Sequence, residues 1–242
     1  MPKNIALRIS LILFLIVLIS GCSENSINDR ISVKHAGALK NFMHEGDVSA
    51  KASLDSLNPT DLYAVGALEN LKGELIIIDG QPYLSRVVNG EVEIDKSYDS
   101  KASLMVYSYV SDWRQFQIEQ PINSKIELEG IIEEYALQEG IDLEKPFPFM
   151  VKGKLFSFTW HVVNWPEHAT IHTHEKHITS GLNGVEEDRE ITILGFYSRN
   201  HKGIFTHHTT NMHMHVLTDD WELSAHVDEV VPGESFVVML PK

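Results

Sequence analysis

The 242-residue chain is 43% hydrophobic and 22% charged, carries a formal net charge of −14 and contains one cysteine. That composition belongs to a globular chain rather than a disordered one, and the acidic balance excludes nucleic acid as a partner. A lone cysteine excludes an intrachain disulfide, so any metal site must draw on His, Asp or Glu.

The first residues read as an address rather than as fold. Lys3 and Arg8 accompany an apolar run from Ile9 to Ile19 that is too short to span a bilayer comfortably. The run leads directly into Ile19-Ser20-Gly21-Cys22, which resembles the bacterial lipobox. Residues 1–21 are therefore expected to be a lipoprotein signal peptide, Cys22 a lipidated mature N-terminus, and 22–32 a polar tether. An ordinary signal peptide or an anchor helix with an incidental cysteine is the alternative. Removing 1–21 takes Lys3 and Arg8 with it and moves the charge from −14 to −16. The expected attachment to a bacterial envelope membrane thus rests on acyl chains and not on basic charge.

No internal repeat or low-complexity tract follows, so 33–242 reads as one domain. Leu39, Phe42 and Met43, spaced i, i+3, i+4 before Gly46, predict a short helix over 36–46. "ELIII" and "PYLSRV" flank Asp79-Gly80 and predict a hairpin; "SLMVYSYV" (103–110) predicts a strand. Ser124 and Glu127 form a capping-box pattern, followed by Leu128, Ile131, Ile132 and Tyr135 on one face and a stop at Gly140. Five strand-like segments come after: "FMVKGKLFSFTWHVV", "REITILGFYS", "NMHMHVLT", "WELSAHVDEV" and "SFVVML". Strands in series with few helices predict an α+β fold built on a mixed, mostly antiparallel sheet.

Eleven of the thirteen histidines lie between His161 and His226, a density at which H-x-H pairs arise cheaply by chance. One pair carries more than density. His213 and His215 alternate with Met212, Met214 and Val216, so a strand would place both imidazoles on one face. Thr218 to Asp220 is a natural turn, and "WELSAHV" can return as the partner strand. A turn centred on Asp219–Asp220 sets His226 opposite His213; a shifted register sets it opposite His215, and either gathers three imidazoles on a C-terminal hairpin. Three neutral ligands with an open position describe a catalytic zinc site rather than a closed structural one. Other divalent first-row metals would also suit three histidines. His207 and His208 read as connecting loop. His172, His174 and His177 in "HTHEKH" read as a mobile, metal-scavenging loop, because no periodicity or hairpin fixes them.

These residues resemble the alpha-acetolactate decarboxylase family. Gly195 to Ser198 ("GFYS"), His213-Met214-His215 and His226 in "AHV" match that family's G-F-x-S, H-x-H and G-H-V segments at their spacings. "GALENLKGELIIIDG" (Gly66 to Gly80) is similar to another family segment and sets Glu74 on the family's active-site glutamate. The resemblance implies a zinc-dependent lyase that turns 2-acetolactate into acetoin and carbon dioxide. His213, His215 and His226 would hold the metal, and Glu74 would handle the proton or orient the substrate. A small-molecule β-keto acid is then the expected partner, and a homodimer is admitted. Three positions depart from the pattern. Ala67 stands where the family has threonine, and His161 stands where it has an arginine suited to a bidentate carboxylate contact. The chain also ends at Lys242, short of a family tail bearing another glutamate. His161 could replace the arginine, act as acid/base or add a ligand. Loss of the arginine fits a related β-keto or α-hydroxy acid as substrate. A second reading is an exported, non-enzymatic zinc-binding or interaction module on the same scaffold.

Overall fold

The structure, a computed structural model, describes residues 31–167 and 169–242. The expected signal peptide, Cys22 and nearly all of the tether lie outside the described residues. No helix among the described residues is long and apolar enough to cross a membrane.

Among the described residues thirteen strands form two antiparallel sheets, which bears out the mostly antiparallel α+β expectation and doubles the sheet count. The first sheet contains β1 (Lys34–Ala36), β2 (Ala52–Ser53), β3 (Leu62–Leu68), β4 (Glu74–Ile78), β5 (Gln81–Val88), β6 (Glu91–Asp95) and β7 (Lys101–Tyr109), in the order β1-β7-β3-β4-β5-β6 with β2 also on β7. The second contains β8 (Trp113–Ile118), β9 (Phe147–Val162), β10 (Leu182–Tyr197), β11 (Met212–Thr218), β12 (Ser224–Val231) and β13 (Phe236–Pro241), in the order β10-β11-β12-β9-β13-β8. Because β10 also pairs with β9, strands β9 to β12 close into a ring. Helix α1 (Lys125–Gln138) lies between β8 and β9, and the short α2 (His174–Thr179) between β9 and β10.

The local signals act as expected. Asp79 and Gly80 both take the left-handed conformation, φ 49° and 74°, which a two-residue hairpin turn requires, and Ile78 pairs with Gln81 across it. The Ser124 hydroxyl accepts from the Glu127 N–H at 3.1 Å, while the Glu127 carboxylate accepts from the Asn123 N–H at 2.8 Å. The helix predicted over 36–46 shrinks to one wide turn, Asn41–Glu45, closed by left-handed Gly46, because Ala36 is recruited into β1.

Alternation then sorts the side chains into layers. Met212, Met214 and Val216 point into the ring with Phe149, Phe158 and Ile193, and α1 adds Leu128, Ile131 and Ile132 to that core. Each such buried side chain contributes roughly 1.5–3 kcal/mol. A second apolar layer lies between the sheets, where Leu194, Phe196 and Leu217 of the ring meet Val65, Ile76 and Leu104 of the first sheet. Gly195 lets these layers close: a Cβ there would stand 2.2 Å from Cζ of Phe149. The outer face of the first sheet buries a third cluster around Leu62, Leu75 and Leu84.

Candidate metal centre

On β11 the residues between the ring-facing methionines are His213 and His215, so both imidazoles face the gap between the sheets. The β11–β12 turn is longer than a tight two-residue one, running from Thr218 to Leu223, whose backbone groups close it at 3.0 Å. Of the two registers open to the sequence, this selects the one with His226 opposite His215. His213 Nε2 stands 3.2 Å from His215 Nε2, and His215 Nε2 stands 3.4 Å from His226 Nδ1. All three could hold a metal ion, with donor atoms within 4.8 Å of one another.

The donor set fits a divalent cation on geometry and on charge. Donors 2.0–2.1 Å from a tetrahedral metal stand about 3.3 Å apart, which the separations of 3.2 and 3.4 Å bracket. Burial lowers the pKa of His213 to about 3 and holds those of His215 and His226 well below the ordinary value. The imidazoles are therefore neutral, and neighbouring nitrogens converge with more lone pairs than protons to share. Two protein features complete the surroundings, and both come from other strands.

His161 on β9 lies opposite His226 on β12, with ring centroids 4.8 Å apart. It is not in the convergent trio. Its Nδ1 lies 2.9 and 3.0 Å from the two carboxylate oxygens of Asp228, and its Nε2 lies 3.8 Å from Oε1 of Glu74. Burial alone would depress this imidazole, but the bond to Asp228 and the charges of Glu74 and Asp228 together raise its pKa. Asp228 reaches His161 because β12 bulges between Val227 and Glu229, a device that re-aims one side chain.

Glu74 opens β4 in the opposite sheet. It alternates with Ile76, which belongs to the layer between the sheets, so its carboxyl group enters that layer directly across from the histidines. Oε1 accepts the Val163 N–H at 3.2 Å, and Oε2 lies 3.9 Å from His215 Nε2. Desolvation is the largest influence on this buried carboxyl and, against the opposing charge of His161, raises its pKa to about 7.

One cavity of about 540 Å³ joins these groups; Glu74, His161, His213, His226, Asp228 and Ala67 all line it. Two expectations need correction here. The "HTHEKH" segment is not a loose scavenging loop: the Thr173 hydroxyl caps α2, and His172 stacks on Trp165 at 4.2 Å while bonding His177 at 2.9 Å. His174 and His177 line the same cavity, although neither joins the trio. His207, read as connecting loop, also lines it, 4.3 Å ring to ring from His174; His208 is exposed. Asp228 went unread in the sequence even though it stands only two residues from His226, a spacing that in an unbulged strand would share that histidine's face.

The model of the family described as alpha-acetolactate decarboxylase matches residues 38–240. The chain is similar to the crystal structure of alpha-acetolactate decarboxylase from Bacillus subtilis strain 168, at 15% identity and a TM-score of 0.71, covering 87% of this chain and 85% of that one. Acetolactate decarboxylase from Bacillus subtilis subspecies spizizenii aligns at 16% identity and 0.72, covering 87% and 86%. A Staphylococcus aureus protein of unknown function, described as similar to alpha-acetolactate decarboxylase, aligns at 16% identity and 0.67, covering 87% and 85%. These likenesses establish a shared fold. No curated protein matches the sequence significantly.

Proposed function

Because the chain belongs to the alpha-acetolactate decarboxylase family, we propose that it is a zinc-dependent carboxy-lyase. It would convert 2-acetolactate, or a related β-keto acid, to acetoin-type ketone and carbon dioxide. His213, His215 and His226 would hold the metal, which when bound supplies Lewis-acid stabilisation of the charge that develops as carbon dioxide leaves.

The observation that carries this reading is Glu74, a buried carboxyl raised to about 7 that faces the three-histidine cluster inside one cavity. Decarboxylation breaks the bond between the carboxyl carbon and its neighbour, and the electron pair passes into the adjacent ketone as an enolate. The carbon left behind must then take up a proton. A carboxyl group whose pKa lies near neutrality keeps that proton and can still give it up. The Val163 N–H fixes the orientation of Glu74, and His161, held by Asp228, sets a positive charge 3.8 Å away. That charge would compensate the carboxylate formed when the proton leaves. In this reading Ala67 and His161 alter how the substrate is gripped and leave the proton chemistry in place.

The test is acetoin formation from 2-acetolactate by the purified chain, with bound zinc measured alongside. Turnover above the spontaneous rate, lost in Glu74→Gln and in His213→Ala, is expected. Stoichiometric zinc without any acetoin would instead favour the exported metal-binding module. Attachment through lipidated Cys22 belongs to the same proposal, and mass spectrometry of the mature N-terminus tests it.

A further inference from the structure

Apart from a bound metal, the side chains that line the cavity holding the histidine cluster offer little permanent positive charge. His174, His177 and His207 line it, each with a pKa lowered chiefly by burial. His161 is already engaged by Asp228, whose carboxylate lies 2.9 Å from its Nδ1. Among the described residues lining the cavity, one lysine and no arginine remains: Lys125.

Lys125 is the first residue of α1, directly after the Ser124 cap. Its side chain is 16% exposed, and the ammonium group meets the Glu229 carboxylate at 2.6 Å and the backbone carbonyl of Asp228. An ammonium has three donors, and these two partners account for two of them. Glu229 is 67% exposed, so its carboxylate can swing into solvent and leave its place on the ammonium to another carboxylate. The pKa values of His174 and His207 are both lowered in part by Lys125, as expected of a cation that faces the cavity from its rim.

We infer that Lys125 is the specificity-determining cation of this cavity, taking the carboxylate of an anionic substrate in exchange for Glu229. This rests on the proposed function for the identity of the substrate, a small keto acid, but its recognition step needs no turnover. The arrangement also suits a reaction that destroys the bound anion. When the carboxylate leaves as neutral carbon dioxide, Glu229 is two bonds of backbone from the Asp228 carbonyl and resumes its place on the ammonium.

Calorimetry on the purified, zinc-loaded chain separates charge recognition from structural support, using 2-hydroxyisobutyrate and its uncharged amide as probes. The parent chain is expected to prefer the acid. Lys125→Gln should weaken the acid about tenfold, the size of one lost charge-assisted hydrogen bond, and leave the amide within about twofold. Lys125→Arg should keep the preference, and Glu229→Gln, which removes the competitor, should tighten the acid a few-fold. Equal binding of acid and amide by the parent would overturn the inference. So would parallel loss of both probes in Lys125→Gln, or loss of its zinc, since either would make the lysine a brace for the β12 bulge. A lysine-dependent preference for the acid without acetoin formation would sink the decarboxylase reading and leave this one standing.

Discussion

Replacing Glu74 by glutamine keeps the shape and the acceptor for the Val163 N–H but removes the titrating proton. In the metal-free protein the carboxyl moves from an ordinary value of 4.5 to about 7. A folded-state pKa above the unfolded one means that the native state binds the proton more tightly. The stability tied to this group is therefore fully present below pH 4.5 and is lost as pH rises through 7. At about 1.4 kcal/mol per pH unit, the loss amounts to about 3 kcal/mol once the group is ionised in both states. Urea denaturation of the parent and of Glu74→Gln, each free of metal, at pH 4.5, 6, 7 and 8.5 reads this directly. The variant should gain on the parent by about 3 kcal/mol across that range, while losing about 10²- to 10⁴-fold in acetoin formation. A stability difference that stays constant with pH would refute the claim that burial keeps Glu74 protonated near neutrality.

Zinc at about one hundred times its dissociation constant should stabilise the parent by roughly 2.7 kcal/mol. Thermal denaturation should show no such shift in His215→Ala, which removes the central donor of the trio. Gly195→Ala should destabilise the fold by about 1–3 kcal/mol through overpacking, because its methyl group would collide with the Phe149 ring; chemical denaturation checks this. His177 and His207 are both lowered to about 4 by burial, so the unfolded chain binds their protons first. Their contribution is fully present above pH 6.5 and is lost as pH falls toward 4. The double variant His177→Gln/His207→Gln should accordingly show a shallower acid limb in a stability-versus-pH curve.

How much of the site was legible varies residue by residue, and the variation has a physical pattern. His213, His215 and His226 could be read because strand alternation and a hairpin are local rules. Two residues apart means one face, and a turn returns the partner. The register between them was left open, since it depends on the length of the Thr218–Leu223 turn. Glu74 was reached only through the family resemblance, because nothing in "ELIII" says which sheet lies opposite. Asp228 carried a local signal, its two-residue spacing from His226, but its bond to His161 depends on a bulge against β9. The order in "HTHEKH" was missed because it comes from Trp165 and from α2 lying over the cavity, contacts without any periodicity in sequence.

By itself the sequence determined the strand-rich α+β class, the face shared by three histidines, the α1 cap and the Asp79–Gly80 turn. Each follows from backbone geometry within a few residues, where side-chain direction repeats every 2 or 3.6 positions. The tertiary structure decided which face meets which. It closed β9 to β12 into a ring, set Glu74 across the gap from the histidines, locked His161 between two carboxylates and brought Lys125 from a distant helix to the rim. Those meetings are fixed by how two twisted sheets and a helix bury their apolar faces together. That packing depends on the whole chain, so no short stretch of it could announce the result.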